Sequence, residues 1–310
     1  FAAINWATGA KFLQVTLNAG NGDIDLGTQQ MMSVPYALYA ENLNVRVSNT
    51  GDTLYIGNNY SIVPGVSAAN PVSISNYGSV LLPGNTTCQN EYITVTGCGG
   101  QDSLLYYDRY YSLVEIGGQC WFAENLATDK YANGDNIPTG LSNAQWTNTS
   151  SGAFAIYNNS SSNDLIYGKL YNWYTTIDGR GLCPTGWHVP SDCEWMFMEG
   201  SLEVNALDLE NIGWRGSIGG GKLKSINGWN SPNTGATNES GFNAISVSTK
   251  NYDGTYSSIG SGGYWWSRSS YQSINWSGAY HRELNYGSSA IFRNISNSFN
   301  YGFSIRCLKN

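Results

Sequence analysis

Six cysteines set the strongest limit on what this chain of 310 residues can fold into, because each disulfide fixes two distant points of the backbone. They are Cys88, Cys98, Cys120, Cys183, Cys193 and Cys307. An even number of cysteines without a C-x-x-C pair is typical of a disulfide framework and not of a zinc or redox site. Fifteen pairings are possible, so spacing alone leaves the connectivity open. Since disulfides persist in oxidising compartments, we expect an extracellular protein, secreted or at the cell surface.

Composition excludes several partners. The formal net charge is −7, and only 15 residues are Lys or Arg, so the chain has no cationic surface for nucleic acid. No apolar run approaches the ~18 residues of a membrane-spanning helix, so we expect no direct membrane insertion. Charged residues make up 12% of the chain, whereas it contains 22 Tyr, 11 Trp and 37 Gly. Such a composition favours strands and polar loops over helices, with aromatic residues supplying most of the core.

Residues 1–44 predict a partial N-terminal β segment with a short helix. Alternation over residues 11–17 indicates a strand, and residues 36–40 follow Pro35 as a short helix. One strand and one helix cannot bury both faces of the strand. We therefore expect this segment to complete a larger domain or to pack against a neighbouring subunit. The chain starts at Phe1, with neither an initiator Met nor a signal sequence, so we expect a processed product or a fragment.

Residues 45–105 predict a β-hairpin connector. Two short alternating stretches, residues 45–47 and 52–56, flank an Asn-Thr-Gly-Asp sequence that is typical of a hairpin turn. Further along, Cys88 and Cys98 lie on either side of another predicted strand. This arrangement favours a local disulfide within the connector.

Residues 106–310 predict the main domain, in which two helices stand out among strands and loops. The first is predicted over residues 167–178, ending before Gly179. The second begins at Ser191, where S-x-x-E forms a capping box: Ser191 caps a backbone N–H while Glu194 reaches back.

Five stretches of this domain resemble one known family. In chain order they are EIGGQCWFAENL at 115–126, YGKLYNWY at 167–174, GLCPTGWHVPSD at 181–192, GYWWS at 263–267 and GFSIRC at 302–307. Together they resemble the Fibrobacter succinogenes major paralogous domain, a family of surface and secreted domains. GTQQMMSVPYALYA at 27–40 resembles a segment of Bacteroidetes surface fibres.

The family resemblance implies a fold and a set of disulfides. The family is similar to the C-type lectin-like and formylglycine-generating-enzyme fold. This implies an α+β domain with two helices, a small antiparallel sheet and long loops, here preceded by a β-rich N-terminal stalk. By analogy, Cys183 is expected to pair with Cys307, closing a long loop. Two further bridges, Cys88–Cys98 and Cys120–Cys193, would complete the set.

No residue pattern points to catalysis. His188 and His281 are the only histidines, and neither lies in a metal-hydrolase motif. His188, between Trp187 and Val189, is expected to be a hydrogen-bonded structural residue. A reactive thiol of the formylglycine-generating type would need a late pair of cysteines that the chain lacks. We therefore expect a protein that is not an enzyme and uses no cofactor.

Candidate ligand-binding residues lie late in the chain. Trp276 is expected at the surface, and His281 with Arg282 lies on a strand that lines a binding surface in this hypothesis. Asn251 and Asp253 lie in an oxygen-rich loop and are the candidate calcium ligands. Ordinary turn chemistry is the favoured alternative for that loop.

Two functions from different classes fit these observations. The first is adhesion or recognition by the lectin-like domain, with a glycan or another surface polymer as the ligand. The alternative is a structural subunit of an extracellular filament. In that case the strand at residues 12–17 adds to the sheet edge of a neighbouring copy, so that the protein self-associates.

Overall fold

The computed structural model describes residues 11–18, 23–31, 45–47, 54–56, 61–62, 88, 93, 95–205, 207–257 and 259–310. Its strands are β1 Lys11–Asn18, β2 Asp23–Met31, β3 Val45–Val47, β4 Leu54–Ile56, β5 Ser61–Ile62, β6 Ser103–Tyr106, β7 Arg109–Ile116, β8 Gln119–Phe122, β9 Phe154–Ala155, β10 Leu170–Tyr171, β11 Trp187–His188, β12 Gly213–Arg215, β13 Gly262–Gln272, β14 Ser277–Asn285, β15 Ile291–Ser296 and β16 Leu308–Lys309. Its α-helices are α1 Asn143–Asn148, α2 Ser161–Tyr167, α3 Trp173–Thr176, α4 Asp192–Ser201 and α5 Gly219–Leu223, and a 3-10 turn covers Tyr157–Asn159.

The chain divides into two units, Phe1–Leu43 and Asn44–Asn310. In the first unit, β1 forms at the predicted position and pairs antiparallel with β2. The predicted strand is therefore not single, which corrects the premise that it lacks a partner within its own segment. The predicted helix at residues 36–40 lies outside the described residues.

The second unit begins with a three-stranded antiparallel sheet in the order β3-β4-β5. Val47 lies opposite Leu54 across the turn, so the predicted hairpin is confirmed.

The rest of the second unit is α+β, with short helices and antiparallel sheets. One sheet has the order β11-β16-β8-β7-β6 and another the order β12-β15-β14-β13. The segment around Phe303 joins the second sheet to the β9–β10 pair, because Tyr171 bridges Phe303 and Trp265 bridges Ser304. No described helix is long and apolar enough to cross a bilayer.

The two predicted helices have different outcomes. α4 begins as predicted, with both hydrogen bonds of the Ser191–Glu194 capping box present. The predicted helix at residues 167–178 is wrong, because Gly168 has a φ of 73° and ends α2. A Cβ at Gly168 would lie 2.8 Å from the carbonyl oxygen of Leu126, so the chain turns there and continues as β10. Only α3 remains helical.

Two aromatic cores lie on opposite sides of β13. Trp265 belongs to the cluster that packs around α4, and Trp266 to the cluster around Trp173 and Phe303. Because adjacent strand residues point to opposite faces, the pair contributes one ring to each core. Both rings are fully buried.

Three disulfides use all six cysteines. The bridge between Cys183 and Cys307 is present, as the resemblance implied. The other two expected pairs are wrong, because Cys88 pairs with Cys193 and Cys98 with Cys120. The physical reason is that Cys120 lies opposite Glu115 in the β7–β8 hairpin, while the backbone N–H of Cys98 donates to the Glu115 carboxylate. The Cα atoms of Cys98 and Cys120 are therefore only 4.8 Å apart. Cys193 on α4 is then left for Cys88.

Candidate ligand-binding surface

Five buried charged residues connect α4 to the sheet of β12, β15, β14 and β13. Asp192 accepts hydrogen bonds from Arg282, at 2.6 Å, and from Arg293, at 2.5 Å. Glu199 accepts from Arg215 at 2.6 Å and from Nε of Arg282. Each of the five side chains is at most 3% exposed. We call these residues the arginine network.

Electrostatics in the network are set by burial and by the paired charges. Burial opposes ionisation of Asp192, but Arg282 and Arg293 outweigh it and hold the pKa of that carboxyl below its usual value. Burial lowers the pKa of Arg215 to about 10, against the opposing effect of Glu199. The guanidinium groups remain charged at neutral pH, so this side of the sheet is an interior ion cluster.

The chain neighbours of the three arginines point to the other side of the sheet. Trp214 precedes Arg215, Phe292 precedes Arg293, and Glu283 follows Arg282. Because side chains alternate between the faces of a strand, arginines bound to α4 place these neighbours on the opposite face.

Strand register aligns the outward residues across the sheet. Trp214 lies opposite Phe292, Phe292 opposite Glu283, and Glu283 opposite Tyr264. The rings of Trp214 and Phe292 are 4.9 Å apart between centroids. Directly opposite residues of paired strands share a face, so the four side chains form one line.

The line continues beyond β13 through three more aromatic rings. Tyr264 stacks on Phe303 at 5.3 Å, and Phe303 stacks on Tyr301 at 5.5 Å. Tyr301 meets Tyr252 edge to face at 5.5 Å. We call the whole set the aromatic row: Trp214, Phe292, Glu283, Tyr264, Phe303, Tyr301 and Tyr252.

Most of the aromatic row is open to solvent. Trp214 is 46% exposed and Tyr252 is 51% exposed. Phe292, Glu283 and Tyr301 are partly exposed, as is Tyr264, whereas Phe303 is buried beneath them. Gly262 allows the Tyr264 ring to lie close against the sheet, since a Cβ there would be 2.8 Å from that ring.

Glu283 is the carboxyl group within this row. Burial raises its pKa above the usual glutamate value, and a hydrogen bond with Tyr264 only partly opposes that shift. Burial and Glu283 together raise the pKa of the Tyr264 hydroxyl. Among the described residues, Glu283 forms no ion pair with Lys, Arg or His.

The structure gives His281 and Arg282 interior positions. Arg282 is 1% exposed and its guanidinium is held by two carboxylates of α4. His281 is 6% exposed, and burial lowers its pKa to about 3, so its ring is neutral. These positions correct the expectation that both side chains line a binding surface, because neither presents a charged group to solvent.

Trp276 lies at the surface as expected, but away from the aromatic row. It is 43% exposed and packs against Tyr271 at 4.9 Å, in the turn that joins β13 to β14. Tyr264 and Glu283 lie at the opposite end of the same two strands. Trp276 is therefore an exposed aromatic residue outside the row.

Asn251 and Asp253 use their oxygens for turn chemistry. The Asp253 carboxylate accepts from both the backbone N–H and the hydroxyl of Thr255. The Asn251 side-chain oxygen accepts from Thr249 and Ser257. The side-chain oxygens of the loop therefore form the turn hydrogen bonds that the sequence favoured over a calcium site. The loop contributes Tyr252 to the aromatic row, and this residue lies between the two predicted ligands.

Lys250 places its own ammonium group inside that loop. Its Nζ donates to the carbonyl oxygen of Gly254 at 2.8 Å. The same atom lies 4.3 Å from the ring centre of Tyr256 and 5.2 Å from that of Trp146. No group of three His, Cys, Asp or Glu side chains in the described part of the chain is arranged to hold a metal ion.

A polar cleft of about 240 Å³ lies elsewhere, between α2 and the chain after β8. Its floor includes Arg306, which donates to Asn125 at 2.8 Å and to the carbonyl oxygens of Phe122 and Phe242. Asn125 also accepts from the indole of Trp265 at 3.0 Å. These groups satisfy one another and support the two cores, so the floor of this cleft is structural.

His188 has the structural role that the sequence indicated. Its Nε2 lies 2.8 Å from Glu194 and its Nδ1 lies 2.5 Å from Asn310. Burial lowers the pKa of His188, but Glu194 outweighs it and the net shift is upward. The pair joins the start of α4 to the end of the chain.

The fold and this surface define a class: a disulfide-braced α+β domain that presents an open aromatic face. Residues 114–309 match the model of the Fibrobacter succinogenes major domain, which covers nearly two thirds of the chain. The chain belongs to this family. It matches no curated protein and no solved structure. Three disulfides that use every cysteine fit an extracellular or secreted protein.

The aromatic row was not predicted from the sequence, although one signal was present. Three strands carry an arginine next to an aromatic or acidic residue, in the pairs Trp214–Arg215, Arg282–Glu283 and Phe292–Arg293. Because side chains alternate along a strand, these pairs predict that the arginines lie on one face of the sheet and the aromatic and acidic residues on the other. Strand order was needed as well, because β12 is distant in sequence from the strands that it joins.

Proposed function

We propose that this protein is an extracellular recognition protein whose aromatic row binds a glycan or a related surface polymer. The observation that carries the proposal is the line of aromatic side chains, most of them partly exposed, that crosses five adjacent chain segments from Trp214 to Phe303. With strands ~4.8 Å apart, the distance from Trp214 to Phe303 is about 19 Å, which accommodates several sugar rings. Binding of this kind needs no catalytic group, and we propose no enzymatic activity.

The chemistry of the row suits a sugar. Tyr and Trp offer a wide apolar face with a polar tip, so they can stack on the C–H face of a pyranose and hydrogen-bond its hydroxyl groups. Exposed aromatic patches of this kind mark interaction sites on soluble proteins. The arginine network supports the row from behind, so little conformational entropy is lost when a ligand binds.

The proposed fold type is C-type lectin-like. Two observations support it: the bridge from Cys183 to Cys307 closes a long loop, and a capped helix follows the first of these cysteines. Within that proposal the aromatic row lies on the late sheet.

The test compares two tryptophans of nearly equal exposure. Trp214→Ala removes one end of the row, whereas Trp276→Ala removes a ring of similar exposure outside it. Binding of the full chain and both variants to a glycan array and to insoluble polysaccharides is measured. We expect Trp214→Ala and Tyr264→Ala to weaken binding at least tenfold and Trp276→Ala to leave it unchanged. The opposite pattern would place the ligand at the β13–β14 turn and overturn the proposal.

We propose self-association as a second function, because β6 is the last strand of its sheet in the described part of the chain. Leu105 on β6 and Tyr110 opposite it are 51% and 68% exposed. Exposed edge strands pair readily with another chain. In this hypothesis the β1–β2 hairpin of one copy adds to β6 of the next copy and builds a filament.

Electron microscopy tests this second function directly. The full chain is expected to form fibres, and deletion of residues 1–20 is expected to abolish them. Leu105→Lys is the matched test of the acceptor edge, because a charge there opposes strand pairing. Fibres that persist in both variants would exclude this mode of assembly.

A further inference from the structure

Glu283 is a carboxyl group among aromatic rings, and no Lys, Arg or His of the described residues forms an ion pair with it. It lies opposite Phe292 on one side and Tyr264 on the other. The nearest arginines in sequence, Arg282 and Arg293, point to the opposite face and are held by α4.

Within the part of the chain that the structure describes, the groups named below supply no positive charge to Glu283. On its own strand and face, His281 is buried and neutral. The facing strand contributes the Tyr264 hydroxyl, which is protonated at neutral pH because its pKa is raised. At the far end of the row, Lys250 holds its ammonium group under Tyr256 and Asp253 adds a second negative charge.

A partly buried carboxylate whose only side-chain partner is a neutral hydroxyl is incompletely compensated, and a bound cation would stabilise it. Aromatic faces attract cations as well, most strongly where water is excluded. A carboxylate flanked by Tyr and Phe rings therefore combines two attractions for an ammonium group, and both disfavour an anion. A sulfated or uronic-acid polymer would meet only repulsion here.

We propose that the aromatic row selects a glycan that carries free amino groups, with Glu283 as the acceptor for an ammonium group of the sugar. This inference rests on the proposed function and names the ligand class of the same site. The rings contact the sugar faces, and Glu283 selects the charge.

The first test uses the unmodified protein and three oligosaccharides of equal length and linkage. They are an oligomer of glucosamine, the same oligomer fully N-acetylated, and an oligomer of glucose. We expect the glucosamine oligomer to bind about tenfold more tightly than the other two, since a charge-assisted hydrogen bond contributes about that factor. Added salt should reduce this preference and leave the binding of the neutral oligomers unchanged.

The second test uses Glu283→Gln with Glu239→Gln as its control. Glu239 is an exposed carboxylate that lies outside the row, and both variants change the net charge equally. Glu283→Gln should lose the tenfold preference and keep its affinity for the glucose oligomer. Glu239→Gln should behave as the unmodified protein.

The outcomes separate this inference from the function on which it rests. Equal binding of all three oligomers by the unmodified protein would overturn the charge selection and leave glycan recognition intact. Binding of none of them would overturn both. If polylysine competes as strongly as the glucosamine oligomer and Glu283→Gln abolishes both interactions, the row recognises amines on a protein and the glycan assignment is wrong.

Discussion

The two faces of the sheet formed by β12, β15, β14 and β13 carry opposite chemistries on the same strands. One face holds Arg215, Arg282 and Arg293, which are buried and bound to two carboxylates of α4. The other face holds the aromatic row with the carboxyl group of Glu283, which forms no ion pair with any residue that the structure describes. The difference shows how alternation along a strand lets three short segments build a support and a surface together.

The supporting face explains how the strands that carry the aromatic row are held in place. Each arginine is fixed by at least one carboxylate, so the backbone of each strand is held next to its outward residue. Because these strands are fixed, the rings that they carry are preorganised for ligand binding. The arginine network contributes geometry more than net stability, because burying charges offsets much of their attraction.

The largest expected effect comes from breaking the supporting face. Glu199→Gln leaves the guanidinium groups of Arg215 and Arg282 without their shared carboxylate. Removing one partner of a buried ion pair typically costs 3–5 kcal/mol, so we expect a loss of about 4 kcal/mol in the free energy of unfolding. Denaturant titration of the oxidised protein measures it.

Glu203→Gln is the control for that loss. Glu203 pairs with Lys222 at 2.7 Å but is 58% exposed on its side chain. An exposed pair contributes less than about 1 kcal/mol. Equal losses for the two variants would show that the buried network is no more important than a surface ion pair.

A second prediction compares two tryptophans, one on each face of the sheet. Trp265→Ala removes a ring that is 1% exposed on the α4 side, and a loss of about 3–5 kcal/mol is expected. Trp214→Ala removes a ring that is nearly half exposed, so its loss should be at most about 2 kcal/mol. Thermal unfolding of both variants checks the order, and a reversed order would mean that the outward face is the better packed one.

Sequence patterns predicted those parts of the fold that depend on local signals. The capping box at Ser191 located α4, and the turn sequence after Val47 located the β3–β4 hairpin, because each signal involves neighbouring residues. The helix predicted at residues 167–178 failed at Gly168, where close contact with the chain around Asn125 fixes the turn. That contact joins segments far apart in sequence.

The candidate surface could not be predicted from the sequence for a related reason. Alternation could separate Arg282 from Glu283, but only the register shows that Glu283 lies between Phe292 and Tyr264. The same limit applies to Asp192, the first residue of α4. In the structure it also binds two arginines from β14 and β15. Long-range pairing therefore decided both the disulfides and the surface.

The smallest expected effect concerns the carboxyl group of the open face. The folded-state pKa of Glu283 is raised, so the folded chain binds a proton more readily than the unfolded chain. Its contribution to stability is therefore present below the pKa of the unfolded state and is lost as pH rises through the folded-state pKa. Glu283→Gln removes this dependence, so the variant should gain stability relative to the unmodified protein as pH increases from about 4 to about 8. Urea unfolding across that range measures the difference. A difference that changes with pH in the opposite direction would mean that Glu283 has a cation partner in the folded protein, which would remove the contrast between the two faces. A constant difference would mean that folding leaves the pKa of Glu283 unchanged.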